Sequence, residues 1–151
     1  MSLAKLSHAS MHRPGSATNG TTVAQRDSSD FLVNGESLLA RLVRMDGGHG
    51  DYMGCFVHGF RDAIAEALNE LLLEGRVDSP KRRVGIYICP ECGDIGCGRF
   101  SVTVERRGEE MIWSDFSYEN GYEAPAIFEG LGPFRFDYSE YARAVRRAAA
   151  I

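Results

Sequence analysis

The sequence predicts an α+β protein in which about three helices pack on a small, mostly antiparallel sheet. Three observations lead to this class. Apolar residues recur at helical spacing from Phe60 to Leu72, apolar and polar residues alternate from Phe100 to Glu105, and residues 137–150 begin with a helix-capping pattern. The composition, 44% hydrophobic and 25% charged in 151 residues, is typical of one globular domain.

Residues 1–30 differ in composition from the rest of the chain. They are rich in Ser, Thr, Gly, Asn and Ala and contain few large apolar residues. Such a segment buries too little surface to offset the entropy lost on ordering it. We therefore predict a disordered leader over residues 1–30 and a single α+β domain over residues 31–151.

The predicted domain opens with an apolar run at residues 31–33, followed by a helix. Asn34 or Ser37 can cap this helix, because either side chain can accept a hydrogen bond from a free backbone N–H of the first turn. Its apolar positions lie between Leu38 and Val43 at helical spacing.

The middle of the chain contains a loop, a helix and two strands. Glycines around His49 mark the loop, and residues 52–57 predict a short strand after it. The clearest helix covers residues 61–75, with Gly75 where a C-terminal cap belongs. Residues 82–89 predict the next strand.

The last third contains a hairpin and a helix. The hairpin is predicted over residues 100–118 from the alternation of apolar and polar residues. Asp137 with Glu140 resembles a capping box at the start of the last helix, and Phe136 and Tyr141 are placed to close a hydrophobic staple over it.

Charge and hydropathy exclude two classes of partner. The net charge of −4 argues against nucleic acid, and the basic run at residues 81–83 is typical of a solvated strand edge. A membrane partner is not expected, because no apolar run reaches about 18 residues. The first residues contain no apolar signal region, so we expect a cytoplasmic protein with reduced thiols.

Three of the four cysteines, Cys89, Cys92 and Cys97, fall within nine residues, "CPECGDIGC". The pattern Cys-Pro-x-Cys-Gly resembles the knuckle of zinc ribbons, in which Pro fixes φ and Gly permits the turn that directs both sulfurs to the ion. Zinc is therefore the one cofactor that the sequence indicates, with these three thiolates as ligands.

The fourth zinc ligand has to come from elsewhere in the chain. Cys55 is the first candidate, and His49 and His58 are the alternatives. Cys55 and His58 point to opposite faces if residues 52–57 form a strand, so at most one of them can serve. Three local ligands with a mobile His49 also describe an open catalytic zinc, and His49 with Asp51 is a candidate acid–base pair.

Two other interpretations of this loop remain open. A strand followed by Cys-Pro-x-Cys is similar to the active site of glutaredoxins, where a helix begins at the motif and lowers the pKa of the first thiol. The glycines that follow Cys92 are unfavourable for a helix start. The same glycines, with Pro90 and Asp94, are typical of a plain tight turn between two strands.

The segment from Glu109 to Glu140 contains eight acidic residues, one basic residue and many aromatic rings. Trp113 and Phe136 are expected in the core. An acidic, aromatic surface within this segment is a candidate protein-binding face, since aromatic rings anchor interfaces. The predicted interaction residues are Asp115, Phe116, Tyr118, Glu119, Tyr122 and Glu123. The partner is a basic protein or a second copy of the chain, whose basic counterpart would be Arg143, Arg146 and Arg147.

Three runs, "CPECGDIGCG", "WSDFSYENGYE" and "GLGPFRFD", together resemble a group of small uncharacterised bacterial proteins. The resemblance covers most of residues 30–150 and implies a bacterial, cytoplasmic protein. Members of this group sometimes carry an oxidoreductase label. That label fits this chain only if Cys89 and Cys92 are redox active.

Two function classes follow from these features. The first is a non-enzymatic binding or interaction module whose loop is held by a turn or by structural zinc, with a protein partner or a second copy bound to the acidic, aromatic face. The alternative is a small metal- or thiol-dependent enzyme of oxidoreductase type that uses Cys89, Cys92 and Cys97.

Overall fold

The computed structural model describes residues 3–18, 20–23, 25–48, 50–74, 81–90, 98–120 and 124–150. Within these ranges the helices are α1 (Leu38–Asp46), α2 (Arg61–Leu71) and α3 (Tyr138–Ala149). The strands are β1 (Leu6–Arg13), β2 (Ser16–Thr18), β3 (Thr21–Val23), β4 (Arg26–Val33), β5 (Glu36–Ser37), β6 (Met53–Gly54), β7 (Lys81–Ile88), β8 (Arg99–Arg107), β9 (Glu110–Glu119), β10 (Ala126–Ile127) and β11 (Phe134–Asp137). None of these three helices is long and apolar enough to cross a membrane.

The α+β class is confirmed, and the described strand pairs are all antiparallel. The strands form three sheets where one small sheet was expected. The largest has the order β10-β9-β8-β7-β6, with β11 also paired to β9. A second sheet has the order β1-β4-β5, and β2 and β3 form a separate hairpin.

The predicted hairpin over residues 100–118 is the centre of the large sheet. It consists of β8 and β9, in which Val104 lies opposite Trp113. The register shifts between Ser101 and Thr103, and Asp115 on β9 has a positive φ of 51°. The shift is a bulge, which locally breaks the strict alternation of inward and outward side chains.

The expectation of a disordered leader over residues 1–30 is wrong for much of that segment. β1 pairs along its full length with β4, from Leu6 opposite Val33 to Arg13 opposite Arg26. Few large side chains are available for burial in this segment, but backbone hydrogen bonds to β4 hold the strand in place. Hydroxyl side chains of β4 are also buried here, and Ser29 Oγ donates to the Ala148 carbonyl at 2.9 Å.

The predicted starts of α1 and α3 are confirmed, and the structure shows which of two candidate residues caps α1. The side chain of Ser37, and not that of Asn34, accepts the backbone N–H of Ala40 and caps α1. Asp137 caps α3 by accepting the backbone N–H of Glu140. The staple over α3 is present, since the rings of Phe136 and Tyr141 lie 5.6 Å apart.

Two other predicted boundaries differ from the structure. Helix α2 ends at Leu71, before Gly75, and that glycine lies outside the described residues. The strand predicted over 52–57 is reduced to Met53–Gly54. The backbone carbonyl of Ser29 is so close to Gly54 that no Cβ fits there, so β6 passes directly against β4.

Trp113 is the centre of the core and, with Phe136, is buried as predicted. Its ring makes edge contacts with Phe31, Phe136 and Tyr141 at centroid distances of 5.4–5.9 Å. Trp113 Nε1 donates to Tyr141 Oη at 3.1 Å, and Tyr141 Oη donates to the Leu71 carbonyl at 2.6 Å. These two bonds join β9, α3 and the end of α2.

A buried tyrosine joins the two larger sheets. Tyr87 on β7 donates its phenolic hydrogen to Asp30 Oδ1 on β4 at 2.5 Å and accepts the backbone N–H of Phe31 at 3.1 Å. Ser37 Oγ donates to the other carboxylate oxygen of Asp30 at 2.6 Å. Complete burial and the adjacent Asp30 raise the pKa of Tyr87.

Candidate functional site

The cysteine loop begins and ends at the same end of the β7–β8 hairpin. Cys89 follows the last residue of β7 and is half-buried, and Gly98 precedes the first residue of β8. Pairing of the two strands continues to Tyr87 opposite Phe100, close to both loop ends. Cys92 and Cys97 lie outside the described residues.

Tyr118 fixes the returning end of the loop. Gly98 has a φ of +93°, and a Cβ at this position would clash with the phenolic group of Tyr118. The Tyr118 ring in turn packs edge-on against Phe100, with 5.8 Å between centroids. Glycine is therefore required at residue 98 both for backbone conformation and for space.

Arg26 fixes the outgoing end of the loop. Its Nε donates to the Pro90 carbonyl at 2.9 Å, and its guanidinium lies 5.2 Å from the centroid of the Phe60 ring. The Phe60 ring is 47% exposed. The backbone N–H of His58 donates to the Asp27 carbonyl at 2.8 Å, so the turn before α2 and the start of the cysteine loop both rest on neighbouring residues of β4.

The structure distinguishes between the candidates for the fourth zinc ligand. Cys55 is 6% exposed within the core, and burial raises its pKa to about 12, which favours the neutral thiol over the thiolate that zinc binds. His58 is exposed, and His49 lies outside the described residues. Among the described residues, which contain Cys55, Cys89 and His58, no group of three or more His, Cys, Asp or Glu side chains is placed to bind a metal ion.

Asp51, the expected acid–base partner of His49, forms another contact. Both of its carboxylate oxygens accept from the guanidinium of Arg13, at 3.0 and 2.9 Å. This pair joins the end of β1 to the residues before β6.

Two of the predicted interaction residues are not on the surface. Phe116 is fully buried against Trp113 and Phe134, and Glu119 is 8% exposed. Asp115 is exposed and Tyr118 is half-buried, whereas residues 122–123 lie outside the described part of the chain. The expectation of a continuous exposed face fails because the bulge at Asp115 changes which side chains of β9 point inward.

Glu119 belongs to a polar network that the sequence reading missed. The carboxylate accepts the Arg99 Nε hydrogen at 2.6 Å and lies 3.6 Å from Arg83 Nε. Arg83 reaches across β8 to β9, donating to two hydroxyls of β8 and to a hydroxyl and a carbonyl of β9. These acceptors are Ser101 Oγ (3.1 Å), Thr103 Oγ1 (2.8 Å), the Asp115 carbonyl (2.5 Å) and Ser117 Oγ.

The network corrects the expectation that the basic run at residues 81–83 is only a solvated edge. Arg83 is half-buried because the two neighbouring strands, β8 and β9, place acceptors around its guanidinium. Arg99 crosses over Gly85, where a Cβ would clash with its side chain. The alternation of Arg99, Ser101 and Thr103 along β8 was the signal that these residues share one face.

A cleft lies between α2 and β7 beside this network. It has a volume of about 650 Å³ and is lined by Glu66, Asn69, Glu70, Arg82 and Arg83. Burial raises the pKa of Glu70, Glu66 raises it further, and Arg82 and Arg99 oppose the shift. The cleft therefore has a wall with two glutamate residues on α2 and a wall with two arginine residues on β7.

Comparison of the chain with protein-family models, with curated proteins and with solved structures gives no match. The function proposed for the chain therefore depends on its own residues and their geometry.

Proposed function

We propose that the chain is a cytoplasmic, bacterial, non-enzymatic binding module whose cysteine loop binds one zinc ion as a structural element. The observation that supports this proposal best is the anchoring of both loop ends. Arg26 holds Pro90 and Tyr118 packs on Gly98, so the segment that contains the other two thiols starts and ends on a rigid base. Structural zinc sites are closed and are built on such fixed supports.

The proposed ligands are the thiolates of Cys89, Cys92 and Cys97, with His58 as the fourth. His58 is exposed and lies in the turn that precedes Phe60, and Arg26 contacts both Phe60 and Pro90. Cys55 is less suitable as the fourth ligand, because its burial disfavours the thiolate. His58 therefore takes the place of Cys55, the first candidate for the fourth ligand.

The proposed partner is a protein that contacts the surface around the loop. Phe60 is exposed and the guanidinium of Arg26 lies over its ring, and aromatic residues and arginine are both enriched in protein interfaces. This surface takes the place of the acidic, aromatic face, whose Phe116 and Glu119 are buried.

Metal analysis of the full chain, purified without chelators, tests the zinc proposal. We expect about one zinc ion per chain and its loss in Cys92→Ser, together with a lower free energy of unfolding, because binding energy at a structural site contributes to folding. Cys55→Ala is the matched control, since it removes a thiol that is not a proposed ligand and should leave the zinc content unchanged.

Thiol titration of the same purified protein tests the alternative function, a thiol-dependent enzyme. A chain that contains no zinc, but in which Cys89 reacts with a thiol reagent with a pKa well below the usual value of about 8.5, would favour redox chemistry. A zinc-free chain with an ordinary thiol titration would leave a plain turn as the explanation of the loop.

A further inference from the structure

The cleft between α2 and β7 contains charged groups that are not used by the fold. In the described part of the chain, Glu66, Glu70 and Arg82 form no ion pair within 4.0 Å, and their side chains form no hydrogen bond. Glu66, Asn69 and Glu70 are three and four residues apart, which places them on one face of α2. Arg82 and Arg83 form the opposite wall on β7.

These opposite charges interact across the cleft without touching. Burial raises the pKa of Glu70 and the charge of Arg82 opposes this rise, yet no ion pair joins the two groups within 4.0 Å. The cleft between them is open to solvent and has a volume of about 650 Å³, which is enough space for a small molecule. A ligand with one cationic and one anionic group can therefore satisfy both walls at once.

Arg83 gives this cleft a fixed wall. Its guanidinium is held by Ser101, Thr103 and Ser117 on β8 and β9, which fixes this part of β7 and leaves Arg82 as the guanidinium available to a ligand. A preorganised wall lowers the entropy lost on binding.

We propose that the α2–β7 cleft binds a small zwitterion, a dipeptide or an amino acid, with its carboxylate on Arg82 and its ammonium group between Glu66 and Glu70. Arginine matches a carboxylate with two parallel N–H donors. Two carboxylates one helical turn apart repel each other and are stabilised by a cation between them. This inference goes beyond the proposed zinc loop, because none of its residues belongs to that loop.

The mixed charge of the cleft also predicts what it rejects. Phosphate and other compact anions meet Arg82 but are repelled by Glu66 and Glu70. A simple cation meets the two carboxylates but leaves Arg82 without a partner. Binding should therefore require both charges on one molecule.

Titration of the isotope-labelled full chain, followed by NMR, tests this proposal with four probes: glycylglycine, N-acetylglycine, glycinamide and inorganic phosphate. We expect saturable shifts of the amides at residues 66–70 and 82–83 with glycylglycine. Each single-charge probe should bind at least about tenfold more weakly, which is the loss expected for one charge-assisted hydrogen bond.

Two variants complete the experiment. Arg82→Gln should weaken glycylglycine binding about tenfold, since the carboxylate loses its ionic partner. Arg143→Gln, on the exposed surface of α3 and outside this cleft, should leave binding unchanged and controls for net charge. Circular dichroism checks that both variants are folded.

Several outcomes would overturn the proposal. They are the absence of saturable shifts with glycylglycine at millimolar concentration, equal affinity for a single-charge probe, tighter binding of phosphate, and unchanged binding in folded Arg82→Gln. None of these results bears on zinc, so this proposal and the zinc proposal can fail separately.

Discussion

Glu119 accepts a hydrogen bond from Arg99 at 2.6 Å, and Arg99 directly follows the glycine at the end of the cysteine loop. The pair joins β8 to β9 at the end of the hairpin where the loop lies, and Arg83 from β7 approaches the same carboxylate. The loop is therefore supported by a three-stranded polar network on one face of the sheet and by Tyr118 and Arg26 at its two ends.

The network predicts a large cost for removing its carboxylate. Glu119→Ala leaves Arg83 and Arg99 without their anionic partner, and we expect a loss of about 2 to 3 kcal/mol of unfolding free energy. This is less than for a fully buried pair, because the Arg99 side chain is 26% exposed. Urea denaturation measures this loss of unfolding free energy.

Glu105→Ala is the control, because its partner Arg107 is largely exposed, and this variant should lose no more than about 1 kcal/mol. Equal losses in the two variants would contradict a structural role for the network.

Glycine at residue 98 is predicted to be essential for the loop base. Gly98→Ala should lose about 3 kcal/mol, since it adds both left-handed strain and a clash with Tyr118. Gly108→Ala shares the positive φ but has no atom within 4 Å of the added Cβ, so about 1 kcal/mol is expected from strain alone. The difference between the two, obtained from chemical denaturation, isolates the contact with Tyr118. Similar losses would mean that the Tyr118 ring does not pack on the loop.

Stability should fall in acid, and three surface carboxyls determine the pH range. Hydrogen bonds from His12 to Asp27, from Arg135 to Glu110 and from Ser139 to Asp137 hold the pKa of each carboxyl below its usual value. A lowered pKa in the folded state contributes stability above the unfolded pKa of about 4 and loses it as the pH falls through the folded value. Unfolding free energies measured between pH 6 and pH 3 should therefore decrease, with a smaller slope in Glu110→Gln. An unchanged slope in this variant would contradict the assignment.

Glu70 should show the opposite sign. Burial and Glu66 raise its pKa, so the folded state binds the proton more tightly than the unfolded state, and stability decreases as the pH rises through the folded pKa. At pH 7 the charged carboxylate is a cost, and Glu70→Gln should raise the melting temperature. The gain should disappear in acid, where the native carboxyl is protonated. A variant that melts lower than the native chain at pH 7 would show that attraction to Arg82 outweighs the burial of the charge.

Local patterns allowed the helices to be predicted, whereas non-local pairing was missed. The caps at Ser37 and Asp137 depend on residues three positions apart, so a short stretch of sequence contains the whole signal. The strand β1 is stabilised by β4, about 20 residues further on, and no local feature of its Ser- and His-containing sequence indicates that partner.

The candidate site was predicted only in part, because some of its features depend on pairing between strands. The position of Cys89 at the end of a strand followed from the strand predicted over residues 82–89. The burial of Phe116 and Glu119 did not follow, because the bulge at Asp115 interrupts the alternation along the hairpin and depends on pairing with β8. The role of Arg83 requires acceptors from two neighbouring strands, and these can be located only once the sheet order is known.

X-ray absorption at the zinc edge, recorded on the full chain as purified, tests the central proposal most directly. If Cys89, Cys92 and Cys97 bind the ion with His58, the first shell contains three sulfur atoms at about 2.3 Å and one nitrogen at about 2.0 Å. His58→Ala should remove the outer scattering of the imidazole ring, because a water oxygen takes the place of the nitrogen, and leave the three sulfurs in place. A chain without zinc, or zinc surrounded only by nitrogen and oxygen, would contradict a thiolate site in this loop.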